Sequence, residues 1–195
     1  NFNKNLYSNN FGYGNFNTNM KMSNYDTNKS EKFFINDLDW TFDKKFGNIP
    51  YDGKFITKLK NVNYEVKNVD KLKQELTHEF FGAIGYLASI DLVKGSPKNY
   101  GHLLTPKLLF KYAPNHMKKD TNDLDLHNKN IFSLDRLGST SSLEGGTSLT
   151  YGIDYKKSFK NDQELNFSIG QIINEKKTDK RKPDTSSLDK RFSDV

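Results

Sequence analysis

No cysteine occurs among the 195 residues, so neither a disulfide framework nor a thiolate metal site holds this fold together. There is no run of about twenty apolar residues, which excludes a membrane-spanning helix. It does not exclude a barrel wall, whose lipid face uses every second residue. Apolar residues are scarce overall, 34% against 28% charged, enough for only a thin core if a chain of this length were a soluble sandwich. A charged and apolar leader of the secretory kind is missing, the first residue is Asn1, and Ser193, Asp194 and Val195 read as the start of another strand. The expectation is an internal fragment of a longer protein, continuing at both ends of 1–195.

The formal charge of +6 raises the question of nucleic acid. The excess sits in loops: Lys44 and Lys45, Lys118 and Lys119, and Lys176, Lys177, Lys180, Arg181 and Lys182. Single-strand binding needs a basic stripe interleaved with stacking aromatics, and none is present, so no nucleic-acid partner is expected. His78, His102, His116 and His127 lack metal-ligand spacing and stand in no Ser and Asp nucleophile pattern. Gly12 to Gly14 and the Gly145, Gly146 pair lack the strand-to-helix setting of a phosphate loop. No catalytic residue, metal or cofactor is expected.

What the chain does have is alternation. Leu149, Tyr151, Ile153 and Tyr155 point one way and Ser148, Thr150, Gly152 and Asp154 the other, and Leu165, Phe167 and Ile169 repeat the pattern against Glu164, Asn166 and Ser168. A period of two means strands with one apolar and one wet face. Further strands are expected at Phe11 to Asn24, Lys32 to Phe42, Phe55 to Val66, Thr77 to Val93 and Leu103 to Tyr112, making about seven with the two from Leu149 to Ile173. In the strand from Phe55, Ile56, Val62, Tyr64 and Val66 share a side with Lys58 and Lys60, as a bulge would explain. Thr77 to Val93 exceeds the usual five or six residues about twofold or more, as bilayer-crossing strands do. The fold class is all-β, an antiparallel transmembrane β-barrel portion forming an open curved sheet. A soluble β-sandwich or a solenoid is the alternative on pattern alone.

Successive turns alternate between two ends. One end takes Asp26 to Ser30, Lys67 to Glu75 and the long Ala113 to Ser141; the other takes Asp43 to Lys54, Lys94 to Gly101 and Lys156 to Asp162. Outer-membrane barrels keep long loops outside and short turns in the periplasm, which makes Ala113 to Ser141 extracellular.

Within Asn128 to Tyr155, Asn130, Ile131, Phe132, Ser133, Leu134, Asp135 and Arg136 are followed by Ser142, Leu143, Glu144, Gly145 and Gly146 and then by Leu149, Thr150, Tyr151 and Gly152. This resembles the LPS-assembly family LptD, with its Phe-Ser-x-x-Arg element, glycine-containing stretch and Leu-x-Tyr-Gly strand. Leu104, Thr105 and Pro106, leading to Tyr112, Ala113 and Pro114, are similar to its Leu-x-Pro strand, and Ser168, Ile169, Gly170 and Gln171 to its Gly-Gln strand end. The resemblance is specific from Leu103 to Gln171; before Lys98 it lies in strand pattern and spacing. Where the family often has Gly-x-Asp-Arg, Gly138, Ser139, Thr140 and Ser141 stand here, so a charge pair expected within the loop is missing or replaced.

The resemblance implies a non-enzymatic outer-membrane barrel with a periplasmic jelly-roll domain, plugged by the lipoprotein LptE, that delivers lipopolysaccharide to the outer leaflet. The implied partners are lipopolysaccharide, an LptE-like lipoprotein and outer-membrane lipids. A diffusion porin or a receptor barrel is the alternative within the same architecture. The expected site is the motif loop, Phe132, Ser133, Asp135 and Arg136. Lys107 and Lys111 are basic groups on the lumenal face, either solvated there or drawing anionic groups of the glycolipid. A loop of about thirty residues with an Ile131, Phe132, Leu134 cluster beside charges is expected to fold back and dock. In that arrangement Phe132 is the apolar anchor and Arg136 a charge-assisted donor to a wall carboxylate.

Overall fold

The computed structural model describes residues 1–195 except 9, 26–27, 49, 71, 97–98, 115–129, 138, 140, 160–162, 177–189 and 195. Nine strands are present: β1 (Phe2–Ser8), β2 (Gly12–Tyr25), β3 (Lys29–Asp43), β4 (Asp52–Lys67), β5 (Thr77–Ser89), β6 (Leu92–Ser96), β7 (Asn99–Tyr112), β8 (Ser148–Ser158) and β9 (Glu164–Asn174). They form one open antiparallel sheet in the order β1-β2-β3-β4-β5-β7-β8-β9, with β6 also paired to β7. No second sheet packs on it among the described residues, so the sandwich alternative falls. Beyond β9, Phe192 bridges Ile173, and Ser193 N–H donates to the Ile172 carbonyl at 2.9 Å. Lys118, Lys119, His116, His127 and the basic residues 177–182 lie outside the described residues.

Two strands add to those the alternation marks. β1 pairs with β2 from Phe2↔Thr18 to Ser8↔Gly12, although its run of asparagines is poor in β-forming residues. β6 is the far end of the long strand expected from Thr77 to Val93, and it keeps the register of β5 along β7 as far as Lys94, beyond which the register shifts. The interruption falls opposite Pro106: Ile90 N–H donates to the Pro106 carbonyl at 3.2 Å, but proline has no N–H to return the bond. A side-chain bond from Thr105 Oγ1 to Asp91 Oδ1, 2.7 Å, crosses the same gap.

The bulge expected between Phe55 and Val66 does not occur. β3 and β4 pair without a shift from Ser30↔Lys67 to Asp43↔Lys54. The mixed side of β4 has another cause: Val62, Tyr64 and Val66 are buried under the loop between β7 and β8, and the lysines pair across to β3.

Because paired residues share a side, the registers sort every strand onto two faces. One face is apolar and bare: Met20 and Met22, Phe34, Phe80 and Ile84, Leu108 and Phe110, Tyr151 and Ile153, and Phe167 and Ile169 are all exposed. So broad an uncovered patch is foreign to a soluble monomer. Its few polar side chains bond to one another, Thr18 Oγ1 to Asn36 Oδ1 at 2.9 Å, Asn63 Nδ2 to Asn61 Oδ1 at 2.6 Å and His78 Nδ1 with Asn63 Oδ1 at 2.6 Å. Mutual saturation of this kind is what a hydrocarbon setting demands of polar groups. The other face carries most of the charges, and over β4, β5, β7, β8 and β9 it is covered in part by the loop.

Candidate functional site

The loop's base is an extension of the β7–β8 ladder. Ala113 and Gly146 exchange both backbone bonds, at 3.1 and 2.9 Å, and Gly146 has φ +99°, a conformation glycine adopts without strain. Within the loop, Ser133 N–H donates to the Asn130 carbonyl at 2.9 Å. Ser133 Oγ accepts from Asp135 N–H at 3.2 Å, the side-chain turn that Ser and Asp favour over regular structure.

Apolar residues on this turn land on glycines. The Leu134 methyl lies where a Gly85 side chain would stand, the Phe132 ring does the same at Gly152, and Ile131 at Gly170. Gly152 and Gly170 are direct partners in the β8–β9 register. Gly152 and Gly170 therefore leave one shallow hollow, filled by Phe132 and Ile131, and Gly85 leaves a second beside Leu109, filled by Leu134. Leu134 and Leu143 join the core of Val62, Tyr64, Phe81 and Leu109, while Ile131 and Leu137 pack on Ile172. Burying such side chains contributes about 1.5–3 kcal/mol each.

The charged centre lies beneath. Arg136, 2% exposed, and Glu144, 3% exposed, form a bidentate pair, Nε to Oε2 at 2.8 Å and Nη2 to Oε1 at 2.5 Å. The Arg136 backbone N–H donates to the same carboxylate at 3.1 Å. The guanidinium also reaches two wall hydroxyls on β8, Ser148 Oγ at 3.0 Å and Thr150 Oγ1 at 3.3 Å. From β7, Lys111 brings its Nζ to 3.1 Å from Glu144 Oε2. A second wall lysine, Lys60, donates to the Ser139 carbonyl at 2.5 Å. Buried charges are tolerated when each has such partners.

Asp135 accepts from Leu137 N–H at 3.3 Å and Glu144 N–H at 3.4 Å. Burial pushes its carboxyl above the ordinary aspartate range, Lys60 opposes the shift, and the neighbouring Glu144 adds to it.

Of the residues expected to form a site, Phe132, Ser133, Asp135 and Arg136 come together on the wet face, with Phe132 half-buried between the two apolar clusters. Lys107 bonds Asp154 of β8 and has its Nζ 5.8 Å from the Phe132 ring centre. Lys111 is fully buried against Glu144. The carboxylate that receives Arg136 belongs to the loop itself, not to the wall, and the wall supplies hydroxyls and Lys111 in its place. The charge pair expected within the loop is thus replaced by Arg136 with Glu144. Sequence reasoning missed Glu144, although it stands in the quoted Leu143 to Gly146 stretch, and missed Lys60, whose signal was a lysine on the apolar side of β4. Among the described residues, no three His, Cys, Asp or Glu side chains are grouped to hold a metal.

Residues 1–195, the whole chain, match the family model described as LptD: LPS transport system D. No curated protein matches the chain.

Proposed function

The chain belongs to the LptD family of lipopolysaccharide transport, and from that premise we propose that it is part of the wall of an outer-membrane translocon that inserts lipopolysaccharide into the outer leaflet. The observation that carries the reading is the division of the sheet into a bare apolar face and a polar face with a loop docked on it. An apolar band on the outside and a wet interior are what a barrel wall needs, and a closed barrel leaves no strand edge unpaired. The nine strands form an open sheet, so further strands complete the wall.

On this reading the bare face meets outer-membrane lipids, and the polar face lines the lumen through which the sugar headgroup passes. The docked loop is extracellular in origin and narrows that lumen as a plug, with Phe132 its anchor and Arg136 its charged tie. An LptE-like lipoprotein is the expected partner inside the remaining lumen. The chemistry is transport and not catalysis.

The test is depletion of the full-length protein in cells that depend on it, followed by labelling of surface lipopolysaccharide with an impermeant reagent on intact cells. Surface lipopolysaccharide falls as the protein is lost. If it stays constant while uptake of small solutes falls, the protein is a diffusion barrel and the reading is wrong.

A further inference from the structure

The loop leaves the polar face of β1 and β2 uncovered among the described residues, together with the half-exposed Asp37, Asp39 and Thr41 of β3, whereas Ile35 further along β3 is buried in the core, and the uncovered part has a chemistry of its own. Registers align three rows across the strands: Tyr7, Tyr13 and Thr41; Asn5, Asn15 and Asp39; Asn3, Asn17 and Asp37. The first is aromatic and ends in a hydroxyl, and each of the others is amide, amide, carboxylate. The rows recur every two residues, roughly 7 Å along the strand. Tyr7 is 77% and Tyr13 44% exposed.

The first two rows line a groove of about 400 Å³. Asn15 Nδ2 donates to Asn5 Oδ1 at 3.0 Å, while Asn15 Oδ1 has no donor among the described residues. Asp39 is held by Lys58 at 2.8 Å, and it also lines a second hollow of about 310 Å³ that reaches Phe132 and Ser133 of the docked loop. Asp39 is shared by the two linings, and the hollows lie one after the other along a path from the short-turn end of β1 and β2 to the edge of the loop.

We infer that this path is an oligosaccharide-binding groove that guides the sugar portion of the transported glycolipid; the inference rests on the reading of lipopolysaccharide transport given above. Exposed tyrosine rings offer an apolar face with a polar tip, suited to the C–H face of a sugar ring. Amides and an anchored carboxylate offer the fixed donors and acceptors that hydroxyl groups require. The charged half of the polar face is already committed to the loop through Lys60, Lys111 and Arg136, which leaves the amide half for a ligand of hydroxyl chemistry.

Two experiments on the full-length protein in cells test this. A photo-reactive p-benzoylphenylalanine in place of Tyr7 or Tyr13 forms an adduct that carries lipopolysaccharide, whereas the same residue in place of Leu165 on the bare face does not form it in a sugar-dependent manner. An adduct with another protein, or with a distant segment of the same chain, and none with lipopolysaccharide overturns the inference. In the second, Tyr13→Ala and Asn15→Ala lower surface delivery of glycolipid with a complete sugar chain about fivefold, the size of one lost ring or hydrogen-bond contact. Delivery of glycolipid truncated to its innermost sugars is unchanged, and Tyr13→Phe, which keeps the ring, restores the complete form. Equal loss of both forms means the variants damage the wall and overturns the groove, as does no loss of either. If the unsubstituted protein delivers no lipopolysaccharide at all, the transport reading itself falls; if it does and the variants match it, only the groove falls.

Discussion

Replacing Glu144 with Gln keeps the shape of the side chain and removes the one carboxylate shared by Arg136 and Lys111. Both cations are almost fully buried, so neither can turn to water without moving the loop. Removing one member of a buried ion pair costs about 3–5 kcal/mol. Here two cations lose the same partner, so the upper part of that range is expected for loop docking. Local openings have free energies anywhere from about 0 up to global stability, and a docked loop without regular structure stands at the low end. A loss of this size therefore releases the loop while the β-ladder persists. The assay is proteolysis of the loop on intact cells carrying the full-length protein, with barrel assembly followed separately. The undocked population rises about 100-fold or more, at 1.4 kcal/mol per decade, with assembly unchanged. Adding Lys111→Met to Glu144→Gln takes away one of the stranded cations, so the double variant is less damaged than the sum of the singles by about 1–3 kcal/mol. Strict additivity, or a Glu144→Gln loop as protected as the parent, refutes the claim that this carboxylate is the electrostatic centre of docking.

Phe132→Ala, from a half-buried site, costs docking about 2 kcal/mol, roughly half a full core truncation, and raises permeability to large antibiotics; unchanged permeability with normal assembly removes Phe132 from the plug. Arg136→Ala acts in the same direction by removing the bidentate guanidinium and leaving Lys111 as the cation beside Glu144, and is read by the same uptake measurement. Phe167→Arg or Ile169→Arg lowers barrel assembly by about 2–4 kcal/mol near mid-bilayer while Ser168→Arg is tolerated, and equal effects in a folding titration would show that the two faces see similar surroundings. Because burial raises the Asp135 carboxyl, its docked form binds a proton more readily than the free loop. The associated stability is full below the ordinary aspartate value and is lost as pH rises through the raised one. Loop protection measured against pH is thus greater on the acid side, and Asp135→Asn flattens that dependence.

Much of this was legible because alternation survives wherever a strand has one wet face. Leu149 to Tyr155 and Leu165 to Ile173 could be assigned residue by residue, and both ends of the sheet followed from turn order. β4 misled for a physical reason: its Val62 and Tyr64 are apolar on the face that the loop covers, so the bare face and the covered face both select hydrophobic side chains and the pattern alone does not separate them. β1 escaped because Asn3 and Asn5 earn their strand conformation from pairing with β2 and not from their own preferences. In the loop, Phe132 and Arg136 stood out as an aromatic and a charge in a long connection. Glu144 did not, since its partners Arg136 and Lys111 are set by a fold-back that no local period encodes.

The glycines under the loop tie its seat to strand register. Gly85, Gly152 and Gly170 come from three strands and lie on one side only when β5, β7, β8 and β9 are all aligned. A slip of one residue in any of these pairings turns a glycine to the opposite side and brings a bulkier neighbour inward, so Ile131, Phe132 and Leu134 find no bed. The docked position of the loop therefore depends on the register of all four strands at once, and it reads out their alignment from one side of the sheet.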